Sequence, residues 1–145
     1  TVVVDYSHTP DSIEVALATL RAVAPGARLS IVFGCGGDRD RKKRPLMAAA
    51  AEAGADRVYL TSDNPRSEEP MAIINDAIKG FTAPATVVIE PDRKAAIKRA
   101  IIDAAAGDVV LIAGKGHEKT QTIGTDVLPF DDVHVASDLL EADTT

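Results

Sequence analysis

Two arginines and two carboxylates in this chain sit where side chains have little left to pack against. Arg39 lies in GGDRD, Asp63 and Arg66 lie in TSDNPR, and Glu118 lies in GKGHE. A guanidinium forks two hydrogen bonds onto one carboxylate, and Pro65 narrows the conformations from which Arg66 can do so. A carboxylate, in turn, accepts from an ammonium group. A zwitterionic amino acid carries both kinds of end, and a dipolar ligand with two such ends would use all four residues. The chain has a formal net charge of -6. A cation that follows an apolar run in such a chain therefore needs a reason to be there.

The neighbouring residues leave more than one reading open. Gly34, Gly36 and Gly37 either let backbone N–H groups approach an anion or simply form a tight turn. No GxGxxG or GxxxxGK[ST] pattern occurs, so the chain has no recognisable loop for ATP phosphates. Arg39, between Asp38 and Asp40, is either a solvated ion pair or a site residue. Arg41, Lys42, Lys43 and Arg44 read as a solvated basic face. Asp63 or Asn64 can cap a turn stiffened by Pro65. Gly114 and Gly116 let the chain turn so that Lys115, His117 and Glu118 project near one another. His117 is either a general base or a positioning group, His8 carries the same ambiguity, and His134 reads as surface. No residue is assigned a catalytic role. With one cysteine and no clustered histidines, no metal site is expected. Cys35 reads as a small turn residue.

These residues must be held by something, and the pattern between them supplies it. Apolar β-branched runs at 1–5, 29–33, 57–61, 86–89 and 108–113 read as strands. Helical periodicity falls between them. Thr9 and Pro10 open a helix, with Ile13, Leu17, Leu20 and Val23 on one face. Further helices are expected over 45–53, 70–79 and 92–106, with a last one over 131–140 whose end should fray. Residues 120–130 read as an irregular or hairpin segment. The strands are apolar on both faces. The expected fold is therefore a Rossmann-like, doubly wound α/β unit, with a mostly parallel sheet and helices on both faces. In such sheets ligands bind beyond the carboxyl ends of the strands. DYSHTPD, GCGGDRD, TSDNPR and AGKGHE all follow strands.

Length and composition fit this picture. The chain has 145 residues, 46% hydrophobic and 26% charged, which suits one folded domain. Aromatics are only 3%, so aliphatic side chains must build the core. No apolar run is long enough to cross a bilayer. The acidic balance argues against a nucleic-acid partner. A single cysteine fits a reducing compartment. Thr1 falls inside an apolar run, which reads as a piece of a longer protein.

VDYSHTPDS, FGCGGDRDRKKRP, TSDNPR, the DR of EPDRKAAI, IAGKGHE and PFDD, in this order, resemble the carboxy-terminal domain of the Mur ligases of bacterial cell-wall synthesis. The resemblance runs nearly end to end. It implies a three-domain cytoplasmic enzyme in which residues 1–145 form the third domain. The amino-terminal domain, for the UDP-linked substrate, and the central domain, with the ATP loop and the Mg2+ site, are absent. The implied reaction activates a carboxylate of UDP-MurNAc-L-Ala-D-Glu with ATP as an acyl phosphate, which the amine of the incoming amino acid attacks.

The DNPR form of the third-strand loop is the mark of family members that add meso-diaminopimelate. That molecule is lysine with an extra carboxylate on its far carbon. Residue by residue, the resemblance implies that Arg39, Asp63, Asn64, Pro65, Arg66, Gly114 and Glu118 contact the amino acid. Arg66 would take the distal carboxylate with help from Asn64, and Glu118 or Asp63 would hold an ammonium. Asp5, Tyr6 and His8 would face the nucleotide. ATP and Mg2+ would be held mainly by the central domain, so the isolated chain is expected to be inactive. Its partners would be those small molecules and its own central domain. The alternatives are a lysine-adding ligase, a glutamate-adding relative such as folylpolyglutamate synthetase, and a non-catalytic binding module.

Overall fold

The computed structural model describes residues 1–143. Five parallel strands, β1 (Val2–Asp5), β2 (Leu29–Cys35), β3 (Arg57–Ser62), β4 (Val88–Ile89) and β5 (Val109–Ala113), form one sheet in the order β1-β5-β2-β3-β4. The helices are α1 (Pro10–Val23), α2 (Lys43–Gly54), α3 (Pro70–Ile78), α4 (Arg93–Asp103) and α5 (Asp132–Asp143). A hairpin of β6 (Thr120–Ile123) and β7 (Asp126–Pro129) stands apart as a two-stranded antiparallel sheet.

Alternation along β2 explains why its sequence is apolar throughout. Leu29, Ile31 and Phe33 join Ile13 and Leu17 of α1, Met47 and Ala51 of α2, and Ile73 and Ile74 of α3 in one core. Val32, on the opposite pleat, joins Ala96, Ile97 and Ala100 of α4 and Ala136 of α5 in the second. Each fully buried aliphatic side chain contributes about 1.5–3 kcal/mol. The helices lie on both faces, as the sequence predicts.

Local signals set most boundaries. The Thr9 hydroxyl accepts from the Ser12 N–H at 3.1 Å, and the Ser12 hydroxyl accepts from the Thr9 N–H at 3.0 Å, with Pro10 in the first turn. Asp92 caps α4 through the N–H groups of Lys94 and Ala95. Several boundaries differ from expectation; α2 begins two residues early, at Lys43, and α5 runs three residues further, to Asp143. The strand read at 86–89 shrinks to Val88–Ile89, because Pro84–Thr86 forms a 3-10 turn. The helix read at 92–106 stops at Asp103. The strand read at 29–33 continues to Cys35, because Gly34 and Cys35 pair with Thr61 and Ser62. The expected fraying of the last residues lies outside those described. Among the described residues no helix is long and apolar enough to cross a membrane.

Candidate functional site

The carboxyl ends of β1, β2, β3 and β5 bring their loops to one edge, around a cavity of about 410 Å³. Of the seven residues expected to contact an amino acid, Arg39, Asp63, Asn64, Arg66, Gly114 and Glu118 line it. Pro65 does not; it is buried, and its carbonyl lies against Gly37. Tyr6 and His8 line the same cavity, whereas Asp5 does not. The Asp5 carbonyl accepts from the N–H groups of Gly114 and Gly116, each at 3.1 Å, and its carboxylate takes the Ser7 hydroxyl. Asp5 thus joins two loops, and its carboxylate is already engaged.

Arg66 owes its position to its backbone. It adopts a left-handed conformation, with φ of 52°, which is uncommon for a residue with a Cβ. The hairpin holds it there: the Arg66 N–H donates to the Thr122 carbonyl at 3.0 Å, and the Gly124 N–H donates to the Arg66 carbonyl at 2.6 Å. The guanidinium then lies back over the β2 loop, where Nη1 donates to the Gly37 carbonyl at 2.8 Å. None of the described carboxylates forms an ion pair with Arg66. Among the described residues, Nε and Nη2 make no hydrogen bond. Arg39 is exposed, with Nη1 on its neighbour's carbonyl at 3.0 Å and neither Asp38 nor Asp40 paired to it. The solvated ion pair considered for Arg39 does not form.

Asn64 and Asp63 are held by Lys115 and by two residues of the hairpin, Gln121 and Thr122, which the sequence did not single out. Lys115 Nζ donates to Asn64 Oδ1 at 2.9 Å, and the Thr122 N–H donates to the same oxygen at 2.9 Å. The Gln121 amide donates to the Asp63 carbonyl at 2.8 Å. Lys115, fully buried, lies 3.3 Å from Asp63 Oδ1 and 3.8 Å from Glu118 Oε1. Asp63 is the deeper acid, with 12% of its side chain exposed against 37% for Glu118. Glu118 is therefore the more accessible acceptor for an ammonium. The expected grouping of Lys115, His117 and Glu118 holds for Lys115 and Glu118 but not for His117. Lys115 turns inward beneath Glu118, whereas His117 is exposed and stacks on Tyr6, with ring centroids 6.4 Å apart. Tyr6 also meets His8 edge-on at 4.7 Å.

Gly37 lies in a turn, as one reading has it, whereas Gly34 lies within β2, and both also serve a close approach of loops. A Cβ on Gly37 would lie 1.8 Å from the Pro65 carbonyl oxygen, and one on Gly34 would lie 2.6 Å from the backbone of residues 61–63. They let the β2 and β3 loops touch backbone to backbone. The Gly37 N–H is used in that contact, donating to the Asn64 carbonyl at 2.8 Å, so it does not serve an anion. Cys35 is not a turn residue. It ends β2, buried against Met47, and burial pushes its thiol up to about 12.

Two buried arginines brace this edge. Arg44, read as part of a solvated basic face, is 1% exposed. Its guanidinium contacts Glu68 at 2.6 Å, Asp76 at 2.9 Å and the Gly36 carbonyl at 3.1 Å. Arg93 is equally buried and binds Asp132 with a two-pronged contact of 2.8 and 2.6 Å. It also donates to the Ser62 and Ala113 carbonyls, each at 3.1 Å, and so ties together the ends of β3 and β5. Burial opposes the charge on Arg93, but the hydrogen bonds and charge of Asp132 more than offset this and raise the guanidinium above its ordinary value. One signal was available in the sequence. Arg93 and Arg44 stand in the first turns of helices, where the backbone dipole disfavours a cation.

Tyr6, His8 and His117 form an edge of exposed rings. Among the described residues, no three of His, Cys, Asp or Glu come together to hold a metal ion. The fold is an α/β domain with a cavity at the carboxyl edge of its sheet, lined by arginines and carboxylates. A profile of the family "Mur ligase, glutamate ligase domain" matches residues 1–116, and the chain belongs to that family. It is 56% identical over 139 residues to the UDP-N-acetylmuramoyl-L-alanyl-D-glutamate--2,6-diaminopimelate ligase of Coxiella burnetii, covering 96% of this chain and 28% of that protein. The ligase of the same name from Chromobacterium violaceum is 57% identical over 142 residues, covering 97% of this chain and 29% of that protein. A solved structure of a ligase of that name superposes with a TM-score of 0.94 at 47% identity, covering 99% of this chain and 30% of the other. The chain thus spans less than a third of the length of these relatives.

Proposed function

We propose that this chain is the amino-acid-presenting domain of an ATP-dependent ligase that joins meso-diaminopimelate to UDP-MurNAc-L-Ala-D-Glu through an acyl phosphate. The observation that carries the reading is the state of Arg66. Its guanidinium is fixed at the cavity wall by a backbone carbonyl, and none of the described carboxylates pairs with it. A cation held in this way suits a ligand that brings its own carboxylate. The relatives named for 2,6-diaminopimelate support the choice of ligand.

In the proposed arrangement Arg66 takes the distal carboxylate through Nε and Nη2, Asn64 assists, and Glu118 receives an ammonium. Arg39 is free to meet a second carboxylate. Tyr6 and His8 face the nucleotide. ATP with Mg2+ supplies the activation, and the phosphate-binding loop and metal ligands belong to the central domain. The isolated chain is expected to show no turnover.

Lysine lacks the distal carboxylate and would leave the guanidinium unpaired. Loss of a charge-assisted contact costs about 1.5–3 kcal/mol, or about ten- to a hundred-fold in selection. The test is Arg66→Ala in the full-length enzyme, with kcat/KM measured for both amino acids. The ratio of diaminopimelate to lysine should fall by about that factor. An unchanged ratio would remove Arg66 from the selection.

A further inference from the structure

Lys115 is the one lysine among the fully buried large side chains, and the reading above gives it no role. A buried ammonium needs its hydrogen bonds met. Asn64 Oδ1 and the Thr120 carbonyl each accept from it at 2.9 Å, and Asp63 Oδ1 lies 3.3 Å away as an ion-pair partner without a hydrogen bond. These acceptors come from the loop after β3 and from the start of the hairpin, while Lys115 itself belongs to the loop after β5. One ammonium therefore joins three segments.

The consequence lies at Asn64. An amide side chain presents an oxygen on one side and an N–H2 group on the other. Lys115 Nζ and the Thr122 N–H can only donate, so the atom they share is the oxygen. The Nδ2 group must then face away from them, and Asn64 lines the cavity together with Arg66. Reversed, the amide would set N–H2 against two donors and present an acceptor to the ligand.

We propose that Lys115 is a positioning and specificity-determining residue: by fixing the amide of Asn64 it makes the Asn64–Arg66 wall a donor-only surface. Such a surface accepts a carboxylate, which only accepts, and rejects an ammonium, which only donates. The same ammonium balances the deep carboxylate of Asp63, leaving Glu118 as the more exposed acidic group. The wall thus sorts the two ends of a diamino dicarboxylate by charge. The inference rests on the proposed reading of the pocket as a diaminopimelate site.

The test uses the full-length ligase with meso-diaminopimelate, lysine and ATP as varied substrates. Lys115→Met removes the donor at similar length. KM for diaminopimelate should rise about tenfold, the scale of one charge-assisted hydrogen bond, while KM for ATP and kcat at saturation change less than about twofold. Adding Asn64→Ala should bring no further rise, because both substitutions remove the same contact. Asn64→Asp provides a variant that keeps both donors satisfied at one oxygen while turning an acceptor to the cavity. Its diaminopimelate-to-lysine ratio should fall at least about tenfold with the melting temperature retained. The inference is overturned if folded Lys115→Met keeps its KM for diaminopimelate, if KM for ATP rises with it, or if the two substitutions add. It is equally overturned if Asn64→Asp keeps its selectivity, which decides the matter should Lys115→Met fail to fold. Failure of the underlying reading looks different: the unmodified enzyme would then not use diaminopimelate in preference to lysine.

Discussion

The two sides of the cavity are built in opposite ways. On the side of β2, β3 and β5, every loop is tied to another: Gly37 to Asn64, Arg66 to the hairpin, Lys115 to Asn64 and Thr120, and Arg93 to the carbonyls that end β3 and β5. On the side of β1, the Asp5 backbone is tied to the β5 loop, but the side chains beyond it are exposed: the His8 ring lies 2.8 Å from the Tyr6 carbonyl, and the Tyr6 ring meets His8 and the equally exposed His117. The first side is organised before any ligand arrives; the second presents rings to whatever lies opposite. Under the proposed function, in which the domain holds one small zwitterion and closes on a nucleotide bound elsewhere, this division is what the two tasks would require. The cost of ordering a site is met in advance only where the domain alone defines it.

The largest effect that could break this contrast lies at Arg93. Replacing it with Met leaves Asp132 charged and unpaired at zero exposure. Loss of one partner of a buried pair should cost about 3–5 kcal/mol, read by urea unfolding. A cost under about 1 kcal/mol would mean that the brace is not one. Next is Gly37→Ala, whose methyl meets the Pro65 carbonyl at 1.8 Å. The loops must part, at a cost of about 1–3 kcal/mol. In the full-length enzyme the KM for the amino acid should then rise more than that for ATP.

Acid should loosen the same side. Hydrogen bonds from Arg44 and the Asp38 N–H hold Glu68 below its ordinary value of 4.5, and Arg41 and Arg44 hold Asp76 below 3.8. A carboxylate whose value is depressed in the folded state stabilises fully above its unfolded value. That stability is lost as pH falls through the folded one. Stability should therefore be flat above about pH 5 and decline below about pH 4. Glu68→Gln should shrink the decline. The smallest effect is expected on the open side. Tyr6→Ala, at 48% exposure, should move stability by no more than about 0.5 kcal/mol. Its measurable consequence should be a higher KM for ATP with little change for the amino acid.

The same contrast explains what could be read from the sequence. The strands and helices follow from apolar runs and caps such as Thr9–Pro10, because local chemistry and burial agree there. The site residues that touch solvent, Arg39, Arg66 and Glu118, stood out because a charge beyond a strand end is conspicuous. The residues that hold them did not. Lys115 reads only as a neighbour of His117 and Glu118, Arg44 as part of a solvated basic face, and Arg93 as a cation at a helix start, with nothing to name their partners. Only the fold shows that their partners, 51, 24 and 39 positions away respectively, bury them. The hairpin was ambiguous because half of β6 and all of β7 face outward, so burial leaves little pattern there.

The most direct test is a crystal structure of the full-length ligase with meso-diaminopimelate bound. The distal carboxylate should meet Arg66 Nε and Nη2 at about 2.7–2.9 Å, with Asn64 Nδ2 beside it. Arg66 should still rest on the Gly37 carbonyl. If that carboxylate lies elsewhere and both free nitrogens of Arg66 face solvent, the central claim is contradicted.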